Sequence, residues 1–123
     1  MTGRPEFTAG QNVAMRLPLR HFDATLAFYR DTLGLPVEAR SEGATVTFGP
    51  MRLHLDRLPL QSQTDIWLEI VSPDTPAARA WLSAQGVGFC PEVEALPEGY
   101  DGFWISSPSS TIHIVNAPER HTD

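Results

Sequence analysis

The sequence contains no lysine: all nine of its basic residues are arginine. A mechanism built on a lysine Schiff base is therefore excluded. A single cysteine, Cys90, rules out an intramolecular disulfide and any cysteine-rich zinc cage. Next to Phe89 it reads as buried filler rather than a nucleophile. No apolar run approaches the roughly 18 residues that a membrane-spanning helix needs. Basic residues never cluster, and the formal charge is −6, so a surface that displaces counterions from nucleic acid is not expected. The first residues, MTGRPEFTAGQN, lack the basic-then-apolar pattern of a secretory signal, which makes a cytoplasmic location the expectation.

What the chain does contain is the composition of one soluble domain, 41% hydrophobic and 20% charged over 123 residues. In NVAMRLPLR, alternation puts Val13, Met15, Leu17 and Leu19 on one face, as in a half-buried strand. The period then changes to helical in HFDATLAFYRDTLGL, where Phe22, Leu26, Tyr29 and Leu33 recur at intervals of three and four residues. Asp23 suits the positive end of that helix and Gly34 its left-handed exit, while Phe28 and Tyr29 read as helix-face and core residues and His21 lies near the cap. Strands follow at about Val37 to Arg40, Thr45 to Phe48 and Met51 to Asp56. DIWLEIV is the next strand. SPDTPAARAWLSAQGV is a helix with Asp74 as N-cap, Pro76 in its first turn and Gly86 as its stop. GFC, FWISS and TIHIVN complete the strands. An acidic loop with Glu92, Glu94, Glu98 and Asp101 precedes the last two and would steer cationic ligands if it closed over a site.

The order strand, helix, three strands thus occurs twice. Gly34 and Gly86 close the two helices, Ala14 and Trp67 hold matching places in the opening strands, and His54 and His113 in the closing ones. This predicts an α+β fold of two tandem βαβββ modules, about 11–58 and 63–118, forming a curved mixed sheet around a cavity. Residues 1–10 and 119–123, the latter with His121, are expected to be loose ends.

LAFYRDTLGL (26–35), supported by DTPAARAWLSAQGV (74–87) and by SPSSTIHIV (107–115), resembles the vicinal oxygen chelate superfamily of glyoxalases, bleomycin-resistance proteins and extradiol dioxygenases. The resemblance implies a homodimer and a cavity between modules or between subunits. It also implies metal ligands on the first and last strands, typically histidine and then glutamate. Those positions fall here on Ala14 and Trp67, and on His54 and His113, the last requiring a one-residue deletion within SPSS.

Alternation sets His54 against Leu53 and Leu55, and His113 against Ile112 and Ile114, so both imidazoles are expected on the concave face. There they would join Arg16, Trp67 and Glu69, with Asp65 near the rim and Tyr100 and Trp104 after the long loop. Three readings follow. The first is a metal-free small-molecule binding protein, with Trp67 as a stacking surface and Arg16 holding an oxygen-rich ligand or pairing with Glu69. The second is a lyase, isomerase or dioxygenase in which His54, His113 and Glu69 bind zinc, iron, nickel or manganese. In the third, both histidines are structural, or one serves a metal-free enzyme as general base. The serines from Ser106 to Ser110 lack a nucleophile elbow and read as turn residues.

Overall fold

The computed structural model describes residues 3–118, so His121 lies outside the described residues. The chain divides into two compact units, Gln11–Trp67 and a second that joins residues up to Gly10 with those from Leu68 onward. Each contains one helix and a mixed sheet, which is the α+β class the patterning predicts.

In the Gln11–Trp67 unit, β1 (Thr8–Pro18) leads into α1 (Leu19–Ala27), followed by β2 (Val37–Arg40), β3 (Gly43–Phe48) and β4 (Met51–Leu58). The strand order is β2-β3-β4-β1, with β1 parallel to β4 and the other pairs antiparallel. Alternation sends Leu17, Val46, Leu53 and Leu55 to the helix side, where they meet Phe22 of α1 in a buried cluster with Val13, Met15, Leu26 and Tyr29 packed against it. Each of these large side chains contributes about 1.5–3 kcal/mol by leaving water.

The helix departs from the expected pattern at both ends. It begins at Leu19, behind Pro18, so Asp23 is past the first turn and no acidic residue faces the positive end. After Ala27 it widens into a π-helical turn over Phe28–Thr32, with Leu33 N–H donating to Phe28 O at 3.0 Å. The extra residue rotates the apolar stripe. Leu33, which a regular period would bury, is 50% exposed, and Leu35 packs in its place. Phe28 is likewise exposed, touching Tyr29 edge-on. Gly34 has φ of 72° and Leu35 N–H reaches back to Tyr29 O, a closure one residue wider than the one that ends the second helix.

The second unit contains β5 (Asp65–Val71), whose first residues belong to the other unit, then α2 (Thr75–Ala84), β6 (Gly88–Phe89), β7 (Gly102–Ser106) and β8 (Ile112–Asn116). Its order is β5-β8-β7-β6, with β5 parallel to β8. Asp74 caps α2 by accepting from Ala77 N–H, Pro76 sits in the first turn, and Gly86, at φ 81°, closes the helix with Val87 N–H on Leu82 O. Ala78, Phe103, Ile105 and Val115 form the buried cluster beneath it. Cys90 is partly buried, its backbone N–H on Trp104 O.

From Glu6 onward the expected loose start is tied to the second unit. Strand β1 begins at Thr8, Phe7 packs on the Val115 cluster, and the Ser72 hydroxyl, fully buried, donates to Glu6 O at 2.8 Å. Apart from Phe7, these ties run through the backbone and hydroxyl groups, so apolar periodicity in this segment gives no sign of them.

The π turn makes a testable distinction. Phe22→Ala should cost about 3–5 kcal/mol in urea denaturation and Leu33→Ala no more than about 0.5 kcal/mol. Comparable losses at both positions would contradict the rotated stripe.

Candidate functional site

The parallel pairing of β1 with β4 sets Asn12 beside Arg52, Ala14 beside His54 and Arg16 beside Asp56. All six lie on the face opposite the leucine core, since strand side chains alternate. His54 is therefore on the polar face, as alternation predicts. Both its ring nitrogens are engaged there. Nε2 lies 2.8 Å from Asn12 Oδ1, and Nδ1 lies 3.1 Å from Thr45 Oγ1 on the adjoining strand. Arg52 Nε–H donates to the same Asn12 oxygen at 2.8 Å, and an arginine has nothing but donors, so the amide cannot be turned the other way. Asn12 Oδ1 consequently accepts from both neighbours, and His54 holds its proton on Nε2. Nε2 thus carries a hydrogen, and the residue paired with His54 on β1 is alanine.

Arg16 lies flat on Trp67, its guanidinium carbon 3.7 Å from the ring centroid, an arrangement worth about 0.5–2 kcal/mol. The indole N–H donates to Asp65 Oδ2 at 3.0 Å, and Asp65 Oδ1 accepts from the backbone N–H of Ile66. Trp67 is only 9% exposed and one ring face is covered by Arg16, so the open stacking surface expected of it is absent. Arg16 pairs with Asp56 at 3.6 Å, and Arg40 binds the other oxygen of that carboxylate at 3.0 Å. Asp56 and Asn12, unnoticed in the sequence, were detectable as the alternate residues flanking His54 and Ala14.

In the second unit, Glu69 pairs in register with Ile114, and Ile114 with Trp104, which puts these three on one face. His113 pairs with Leu68 and Ile105 and so lies on the opposite face, the one packed against α2. The expectation that His113 shares the polar face with Glu69 is corrected: the isoleucines take that face instead. The cause is the turn. Ser110 N–H bonds to Ser107 O at 2.8 Å, Ser107 N–H bonds to Thr111 O at 2.9 Å, and Ser110 adopts φ of 66°. The turn uses every residue of SPSS, without the supposed deletion, and a shift of one residue exchanges the two faces of a strand. Isoleucines, not His113, then stand on the polar face of β8. With Glu69 and His113 on opposite faces, these two cannot serve one ion as the proposed metal set requires. Among the described residues, no three His, Cys, Asp or Glu side chains are grouped to hold a metal.

Glu69 instead joins a hydrogen-bonded cluster. Asn116 Nδ2 donates to Glu69 Oε2 at 3.1 Å and to the Tyr100 hydroxyl at 2.7 Å. Gly10 lies under this carboxylate, and a Cβ there would collide with it. Asn116 is 8% exposed and its Oδ1 is buried without a partner among the described residues. Tyr100 stands at the exposed edge, whereas Trp104 is buried, its N–H donating to Glu94 O at 2.9 Å and so fastening the acidic loop. The Thr75 hydroxyl bonds to Asp101, tying the same loop to the start of α2.

No family model matches the chain, and no curated protein matches it. Solved structures do. The Mn(II)-bound glyoxalase from Novosphingobium aromaticivorans superposes with a TM-score of 0.62 at 22% identity, over 97% of this chain and 43% of that one. A variant of homoprotocatechuate 2,3-dioxygenase from B. fuscum gives 0.65 at 16% identity, over 99% of this chain and 35% of the other. A glyoxalase/bleomycin resistance protein/dioxygenase superfamily member from Vibrio splendidus gives 0.59 at 15% identity, over 90% of this chain and 100% of its own. The chain thus spans less than half of the first two. At these identities the likeness is one of fold.

The His54 cluster has a direct signature. Long-range proton–nitrogen NMR should show a proton on Nε2 of His54, and Asn12→Leu should cost about 1–3 kcal/mol by stranding that N–H and Arg52. An unprotonated Nε2, or a silent Asn12→Leu, would contradict the assignment.

Proposed function

We propose that this chain, which has the fold of the vicinal oxygen chelate proteins, is a binding protein for a small organic molecule and works without the divalent metal of that fold's metalloenzymes. One observation carries the reading: Nε2 of His54 is spent on Asn12, and the neighbouring strand offers Ala14. The other supports are chemical. Trp67 has no group able to coordinate a metal, and neither have Ile112 and Ile114, which share its face. Arg16, held flat on Trp67 and flanked by Asp56, supplies a fixed cation of the kind that binds carboxylates or other oxygen-rich groups. A ligand would meet the guanidinium edge rather than an open indole face. The Glu69–Asn116–Tyr100 cluster gives the second unit its own polar face. A homodimer in the cytoplasm is part of the same proposal.

The competing reading is metal-dependent lyase, isomerase or dioxygenase chemistry, drawn from the glyoxalase and dioxygenase likeness. It requires His54, His113 and Glu69 to act as ligands, and the last two lie on opposite faces of the β5–β8 pair.

Metal analysis of untagged protein separates the two. Far less than one zinc, iron, nickel or manganese per chain is expected, and added Mn(II) or Zn(II) should leave the melting temperature within about 1 °C, because an ion that does not bind the native state cannot stabilise it. Stoichiometric metal that disappears in His54→Ala would overturn the proposal. Salicylate, followed by calorimetry, is expected to bind wild type at least about tenfold more tightly than Arg16→Met, since a charge-assisted hydrogen bond is worth about 1.5–3 kcal/mol. Equal affinities would remove Arg16 from the site.

A further inference from the structure

The turn that moves His113 off the polar face also places it in a different cavity. This cavity, of about 510 Å³, lies on the α2 side of the β5–β8–β7 sheet, with apolar walls from Ile70, Val87, Ile105 and Pro108. His113 Nδ1 lies 3.0 Å from Thr111 O. A carbonyl oxygen can only accept, so Nδ1 carries the proton and Nε2, across the ring, is left as an acceptor. Among the described residues that nitrogen has no hydrogen-bond partner. Gln85 and Gly86, at the C-terminal end of α2, form part of the rim, and a helix C-terminus carries partial negative charge. Of the serines on the wall, Ser107 is already engaged with Ser109 and with Thr111 N–H, and Ser106 Oγ–H donates to Ser107 O. The cavity therefore offers apolar surface, a negative rim and, in His113 Nε2, an acceptor whose orientation the Nδ1 bond fixes, with the Gln85 amide beside it.

We infer that this cavity is a second small-molecule site, separate from the polar face, selective for compact apolar molecules that carry one hydrogen-bond donor, of which simple phenols are the type. The phenol O–H donates to His113 Nε2 while the ring lies against Ile70, Val87 and Ile105. A carboxylate lacks the proton for that bond and meets the negative end of α2. An uncharged hydrocarbon of the same shape keeps the apolar contacts and loses the hydrogen bond. The site is separable from whatever the polar face binds, since the side chains of His113, Ile70 and Ile105 all lie on the α2 side of the sheet.

The test compares 4-methylphenol with toluene by NMR titration of the intact chain. Saturable shifts are expected at the His113 ring nitrogens and at the amides of Gly86 and Val87, with 4-methylphenol binding about fivefold more tightly than toluene, the ratio for one neutral hydrogen bond. In His113→Phe the preference should vanish while toluene still binds. The comparison of the two probes on wild type stands even if that variant folds poorly. Equal affinity for toluene and 4-methylphenol would overturn the inference. So would the absence of saturable binding, or shifts centred on Arg16 and His54 instead of His113.

Discussion

A β-strand has two faces, and which residues share one is decided by hydrogen-bond register alone. Everything distinctive about this chain follows from the register of two parallel pairs. In β1–β4 it collects Leu17, Leu53 and Leu55 beneath α1 and leaves Asn12, Arg16, Arg52, His54 and Asp56 together on the other side. In β5–β8 it places Glu69 and Asn116 on one face and sends His113 to the other. Moving either pair by one residue would turn polar side chains inward and expose apolar ones, Leu53 and Leu55 in the first pair and Val115 in the second, a cost of several kcal/mol that fixes the register.

Within that frame the polar face is held by shared partners rather than by isolated pairs. Asn12 Oδ1 receives two donors, and Asp56 receives two guanidinium groups. Arg16 has both a carboxylate and an aromatic ring. Such networks are cooperative: removing one member strands several others, so they hold side chains in place more firmly than single contacts do. The proposed metal-free recognition role rests on such a surface, since coordination by His54 Nε2 would first have to break its bond to Asn12.

Much of the fold was legible in the sequence because the signals were local. The strand bounds Val37–Arg40 and Asp65–Val71 coincide with the runs of alternating residues, and Asp74, Gly34 and Gly86 perform the capping chemistry that their types predict. Three features were not legible, each for a physical reason. The π turn leaves the apolar spacing intact in sequence and changes only which residue faces inward, so Leu33 and Leu35 exchange places. Residues Thr8–Gly10 pair through the backbone, which carries no side-chain signature. In SPSS, serine stands in the left-handed position where glycine would have marked the turn, so the register of His113 was read one residue off. The two histidines therefore look matched in sequence, although His54 lies on the polar face of its unit and His113 on the helix side of its own.

The proposed metal-free role rests on the hydrogen bond between His54 Nε2 and Asn12. Anomalous diffraction from crystals of the chain grown with Mn(II) tests it most directly. The account predicts no anomalous peak within bonding distance of the His54 ring and an undisturbed Asn12 side chain. A manganese peak on Nε2, with Asn12 turned away, would contradict it.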